Sequence, residues 1–204
     1  EYECQKYIKT LYEKLGLETQ LYYPDDLIGI KQHPGYLAGR GTDRRPNVSG
    51  VWHGSGKDHP VMLAAHTDTM PVGDISKWTV DPFGGAVKDG RIYGLGAGDN
   101  KFGIAAAMFA VEALIKNGIR LQKPVVLTAY CDEEYGGGDG ALAACLKYPC
   151  ETIVNLDGGN YELWTAALGG GGFRITVCAD FVTDTAVHVI DALYEVRKAL
   201  TAFA

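Results

Sequence analysis

An α/β fold with a mainly parallel central sheet flanked by helices is predicted for this 204-residue chain on three observations. Short continuous apolar runs, the pattern of strands buried on both faces, recur at 61–65, 124–130 and 152–156. Helical segments alternate with them, as parallel strands joined by helical crossovers require. Each run also ends in acidic or imidazole residues, at the edge where open α/β sheets bind ligands.

The elements follow in chain order. Residues 1–15 read as an amphipathic helix, with Cys4, Ile8, Leu11 and Leu15 at three- and four-residue spacing and Gly16 at the C-cap. A polar stretch containing Pro and Gly, 34–47, reads as a loop, and 48–52 as a weak strand. Val61 to Ala65 is a buried strand ending at His66-Thr-Asp68. Residues 86–93 read as a hairpin with Asp89-Gly90 as a type I′ turn. Gly94-Leu-Gly-Ala-Gly-Asp99 leads into an Ala-rich helix over 102–116, closed by Asn117-Gly118. Strand 124–130 ends at Asp132-Glu133-Glu134, a glycine turn at 136–138 leads to a helix over 140–147, and strand 152–156 ends at Asp157. Beyond it, Gly169 to Gly172 reads as a hinge and 173–179 as an edge strand. Residues 185–200 read as an amphipathic helix with Ala186, Val189, Leu193, Val196 and Leu200 on one face. The expected division is therefore 1–168 and 169–204.

Composition narrows the function classes. A chain that is 47% hydrophobic and 22% charged buries a real core. A net charge of −6 with no basic run argues against nucleic acid. No apolar run of membrane-spanning length occurs, so no membrane partner is expected. Five cysteines, an odd number without CxxC spacing, suit free thiols in a reducing cytoplasm. The chain starts at Glu1, which leaves a removed leader open.

The chemistry-bearing residues are His66 and Asp68, Glu133 and Glu134, and Asp157 at three strand ends, with Asp99 in a glycine loop at a helix N-terminus. Carboxylates gathered in one crevice repel and lose hydration, and a cation relieves both penalties. One imidazole with several carboxylates suits zinc, cobalt or manganese, and a set this acidic can serve two ions. Taken singly, each piece also reads as ordinary structure: a satisfied histidine, a solvated acidic turn, a glycine turn. The threefold repetition of strand-end placement favours the metal reading.

The blocks His66-Thr-Asp68, Trp78, Pro82-Phe83, Asp89-Gly-Arg-Ile-Tyr-Gly94, Gly96-Ala-Gly-Asp99-Asn-Lys101, Glu133-Glu134 and Asp157 resemble, in order, those of the M20 metallopeptidases. That family includes carboxypeptidase G2-like enzymes, aminoacylases, acetylornithine deacetylase, succinyl-diaminopimelate desuccinylase and dipeptidases. The resemblance covers roughly residues 50–178. It implies a zinc-exopeptidase-like catalytic domain at 1–168, and at 169–204 the beginning of a smaller α+β lid that mediates homodimerisation. It implies two zinc ions held by His66, Asp99, Glu134 and Asp157, with Asp99 bridging and a cis Asp99–Asn100 peptide. Asp68 is implied to orient the His66 imidazole, and Glu133 to act as general base on the attacking water. A small peptide or N-acyl amino acid is the implied substrate.

Departures accompany the resemblance. Family members are longer, and their returning segment supplies a second histidine ligand to the ion held by Glu134. His188 is a poor substitute, because it lies off the apolar stripe of its helix. The chain is thus expected to be an incomplete functional unit, with the Glu134 ion held more weakly. His33, His53 and His59 fall outside the blocks, and Cys131 reads as a small buried residue. Two alternatives stand beside the hydrolase: a non-catalytic relative that binds a ligand or partner, and phosphate binding by the Gly94–Gly98 loop, which Asp99 disfavours by its charge.

Overall fold

The computed structural model describes residues 1–37, 41–56, 58–134, 138–158, 162–166, 176 and 189–201. The expected hinge at 169–172, the glycines at 136 and 137, His188 and, apart from residue 176, the strand at 173–179 lie outside the described residues. By contacts the chain divides into Glu1–Thr165 and Ala166–Ala204.

The first unit is built on a five-stranded mixed sheet in the order β1-β2-β6-β3-β7. The strands are β1 (Glu18–Tyr22), β2 (Asn47–Trp52), β3 (Val61–His66), β6 (Val125–Tyr130) and β7 (Thr152–Asn155). Those carrying the acidic ends, β6, β3 and β7, are mutually parallel, with His66 opposite Tyr130 and Ala64 opposite Asn155. β1 and β2 run antiparallel at the other side. β1 was not anticipated, because Glu18-Thr-Gln20 carries no apolar alternation. β7 was expected to be buried, yet Thr152, Ile153 and Asn155 are exposed. It is the edge strand of this sheet, hydrogen-bonded to β3 on one side.

Period-two alternation sorts the core onto two faces. Ala65, Leu127, Ala129 and Val48 meet α1 (Tyr2–Lys14) and α2 (Phe102–Lys116) through Ile8, Tyr12, Ile104, Ala107 and Val111. Met62, Ala64, Val126 and Tyr130 meet α3 (Asp139–Lys147) through Ala144. α1 ends as its sequence requires, since Gly16 adopts φ +79° just beyond the last turn. Its buried face is Gln5, Ile8 and Tyr12, so a polar side chain lies within the apolar stripe.

The hairpin forms a separate two-stranded sheet, β4 (Ala86–Lys88) with β5 (Arg91–Tyr93). Asp89 and Gly90 both have positive φ, 50° and 72°, as a type I′ turn demands. α2 is preceded by a kinked turn over 97–101, where the Asp99–Asn100 peptide is cis. In the second unit, the described residues form α4 (Val189–Thr201), which exposes Ile190, Leu193, Tyr194 and Leu200. Among the described residues no helix is long and apolar enough to cross a membrane.

Candidate metal centre

Parallel pairing of β3, β6 and β7 brings residues far apart in sequence to one edge of the sheet. His66 ends β3 and is fully buried. Its Nε2 faces Asp99 Oδ1 at 2.8 Å, Asp157 Oδ2 at 3.6 Å and Glu133 Oε2 at 3.9 Å. Donor atoms of His66, Glu133 and Asp157 lie within 4.8 Å of one another, as do those of His66, Asp99 and Glu134. All six residues singled out in the sequence therefore meet in one place, sharing a single imidazole. His33, His53 and His59 stay exposed and apart from it; His53 pairs instead with Glu18 at 2.7 Å.

Asp68 sits behind the imidazole at 3% exposure. His66 Nδ1 lies 3.1 Å from the Asp68 backbone carbonyl and 3.5 Å from its carboxylate. That carboxylate also accepts the Glu133 amide at 3.0 and 3.1 Å and the Glu134 amide at 3.0 Å. One side chain at the end of β3 thus fixes the turn that follows β6.

Electrostatics follow from this crowding. Burial opposes a charge on His66, but the Asp68 and Asp99 carboxylates and the charge of Asp157 outweigh it and carry the imidazole to about 9. Burial raises Asp68, yet the imidazole and the Glu134 and Glu133 amides overcome it and hold the acid below its ordinary value. Burial raises Glu133, the nearby imidazole opposes it, and Asp157, Glu134 and Asp68 add to the rise. Asp157 is likewise raised, by burial first and by Asp99 and Asp68, against the imidazole. An imidazole gripping a proton among carboxylates marks a place where positive charge is favoured. The donor set, one ring nitrogen with four carboxylates, fits a borderline divalent cation.

Supporting contacts come from residues that the sequence reading passed over. Gln5 Nε2 donates to Thr67 Oγ1 at 2.9 Å and to the Ala129 carbonyl at 3.1 Å, tying α1 to the loop between His66 and Asp68. Asn47 Oδ1 accepts the Cys131 amide at 3.1 Å, and its Nδ2 donates to the Gly140 carbonyl at 2.7 Å. The available signal was a polar residue inside an otherwise apolar face, as at Gln5. Gly140 lets α3 press on the site turn: a Cβ there would lie 2.0 Å from the Cys131 carbonyl oxygen. An open cleft of about 1240 Å³ adjoins the cluster, with Gly98 and Gly158 beside the site acids and Phe83, Leu95, Phe102 and Leu163 among its apolar walls.

Residues 62–197 match the model of peptidase family M20/M25/M40. The chain belongs to this family. Among curated proteins, this M20 chain is 40% identical over 98 residues to a succinyl-diaminopimelate desuccinylase of Cereibacter sphaeroides (strain KD131 / KCTC 12085), covering 48% of the chain and 26% of that protein. The counterpart from Dechloromonas aromatica is 35% identical over 112 residues, covering 53% and 30%. The chain thus matches less than a third of the length of these relatives. The M20 metallo-carboxypeptidase Sso-CP2 of Sulfolobus solfataricus superposes with a TM-score of 0.53 at 25% identity, over 76% of this chain and 32% of that one. Human carnosine dipeptidase 1 shares the fold, with a TM-score of 0.58 at 19% identity over 80% and 33%. The α/β architecture read from the sequence is therefore the M20 architecture.

Proposed function

We propose that this chain carries the metal-binding half-site of a hydrolase that cleaves a peptide or N-acyl amide bond. One observation carries the reading: the fully buried imidazole of His66 faces three carboxylates within 3.9 Å, with Asp68 behind it. Family membership supports it, since the relatives described above are a desuccinylase and metallo-carboxypeptidase or dipeptidase enzymes.

His66 and Asp157 would hold one zinc ion, Glu134 a second, and Asp99 would bridge them; cobalt and manganese suit the same donors. A divalent ion bound there supplies Lewis acidity, lowering the pKa of water and polarising an amide carbonyl. Glu133 would take a proton from the attacking water and deliver it to the leaving amine, and the upward shift that burial gives its pKa supports that role. Asp68 keeps the imidazole and the glutamate turn in register. The adjoining cleft offers room for the apolar part of a small peptide or N-acyl amino acid. Residues 1–168 as the catalytic segment, 169–204 as the start of a dimerising lid, and a cytoplasmic location complete the proposal. The exposed apolar residues of α4 support the dimer, and the free thiols of Cys4, Cys131, Cys145 and Cys150 support the compartment.

The test is Glu133→Gln, assayed on N-acetyl and N-succinyl amino acids and dipeptides with metal content measured in parallel. Retained metal with a kcat lowered at least about 10²-fold is expected of a positioned proton-transfer group. Loss of metal without a rate defect would exchange the roles of Glu133 and Glu134. A wild-type protein that binds zinc but hydrolyses none of the panel would favour the non-catalytic alternative.

A further inference from the structure

The turn between β6 and the two glutamates contains a residue that the proposed chemistry leaves unused. Asp132 is 1% exposed and has φ +66°, in the left-handed region that Asp tolerates and most residues avoid. Its carboxylate receives Arg45 Nη1 at 2.8 Å. Arg45 is itself anchored: its amide donates to the Thr42 carbonyl at 2.9 Å, and its Nη2 donates to the Gly41 carbonyl. Thr42 is buried and doubly bonded to Asp25, through Asp25 N to Thr42 Oγ1 at 3.2 Å and Thr42 N to Asp25 Oδ2 at 3.0 Å. The guanidinium therefore projects from a braced loop.

Four consecutive residues of the turn are each tethered to another segment. The Cys131 amide goes to Asn47, the Asp132 carboxylate to Arg45, and the Glu133 and Glu134 amides to Asp68. Arg45 and Asn47 flank Pro46, so one short segment grips the turn at two successive residues while Asp68 holds the next two. The left-handed backbone at Asp132 reverses the chain between a buried cysteine and two glutamates that must point into the cluster. A shielded, charge-assisted bond is a strong means of holding such a conformation.

We propose that Arg45 is a positioning residue for the site: through Asp132 it holds the left-handed turn that aims Glu133 and Glu134 at His66. The proposal rests on the reading of Glu133 as general base and Glu134 as ligand, but its test does not depend on turnover alone.

The experiment compares wild type, Arg45→Ala, Arg45→Lys and Arg45→Ala combined with Glu133→Gln. Native-state hydrogen exchange reads the Glu133 and Glu134 amides directly. They should exchange at least about tenfold faster in Arg45→Ala, while amides in the middle of α1 keep their wild-type rates. Where the protein turns over an N-acyl amino acid, Arg45→Ala should lower kcat by roughly 10- to 100-fold with KM little changed, the scale of a small misplacement. Arg45→Lys should recover part of that, having the charge without the planar fork. In the Glu133→Gln background Arg45→Ala should lower kcat by less than it does in the wild type, because the part of its effect that acts through Glu133 is already lost. Wild-type exchange at both glutamates in Arg45→Ala, or acceleration spread evenly over the fold, would overturn the proposal. If Arg45→Ala does not fold, Asp132→Asn serves, since Asn accepts the same φ without the charge; unchanged exchange there is equally adverse. A wild-type protein inactive on every substrate would defeat the hydrolase reading, while the exchange rates would still decide the role of Arg45.

Discussion

Replacing Asp68 with Asn changes one oxygen for an amide nitrogen at the most connected point of the site. In the native protein the carboxylate accepts the Glu133 amide with both oxygens and the Glu134 amide with one, at 3.0 to 3.1 Å. An Asn side chain has a single acceptor, and whichever way it turns, its NH2 group faces a backbone donor or the imidazole. At least one bond to a buried charged group is lost, worth about 1.5–3 kcal/mol. That range corresponds to the roughly 10- to 100-fold fall in metal affinity or activity typical of losing a group that orients a ligand, since each tenfold is about 1.4 kcal/mol. The pH dependence has a definite sign. Asp68 is held below its ordinary value of 3.8, so its contribution is present above that pH and is lost as pH falls through the depressed folded value. The stability gap between wild type and Asp68→Asn should therefore be full at pH 7 and narrow below about pH 4. Chemical denaturation from pH 3 to 7, with zinc affinity by chelator competition at pH 7, measures both. An Asp68→Asn protein with wild-type stability, zinc affinity and pH profile would refute the role assigned to this carboxylate.

In chelator-treated protein the His66 imidazole should titrate near 9 by NMR, and a value at or below 6.5 would contradict its setting among carboxylates. The shift is upward, so its stabilising contribution is complete below about 6.5 and disappears as pH rises through about 9. Gly140→Ala should destabilise the protein by at least about 1–3 kcal/mol in urea unfolding, because its Cβ would meet backbone atoms of Cys131; a neutral effect would mean that α3 can move away freely. Leu127→Ala, at a fully buried position of the central strand, should cost about 2–5 kcal/mol by the same assay, and under 1 kcal/mol would show an unexpectedly compliant core.

Much of this was legible in the sequence because the signals were local. The apolar runs of β3 and β6, the Asp89-Gly90 turn and the Ala-rich α2 with its Asn117-Gly118 stop each declare themselves within a dozen residues. Five of the six clustered residues were found because strand ends in an α/β sheet share an edge, whereas Asp99 stands in the glycine loop before α2. What escaped depends on partners distant in sequence. β1 is a strand because β2 lies beside it, from Glu18 opposite Val51 to Tyr22 opposite Asn47, and nothing in Glu18-Thr-Gln20 announces that pairing. The exposure of β7 is a property of sheet order, which the apolar character of Ile153 and Val154 does not encode. Gln5, Arg45 and Asn47 were missed because their work is done across 124, 87 and 84 residues of chain, to Ala129, Asp132 and Cys131.

The raised pKa values of Glu133 and Asp157 bear on how this protein can be engineered. At neutral pH both acids are held in surroundings that disfavour their charged forms, so in the metal-free fold each ionised group works against folding. Neutral substitutions at these two positions relieve that opposition, and they remove the groups on which the proposed chemistry depends. Asp157 also favours the charge of the His66 imidazole 3.6 Å away, so a neutral residue there removes that support as well. The buried apolar positions of β3 and β6, such as Met62, Ala64, Val126 and Leu127, carry no such conflict, and they are where a sturdier version of the chain is best sought.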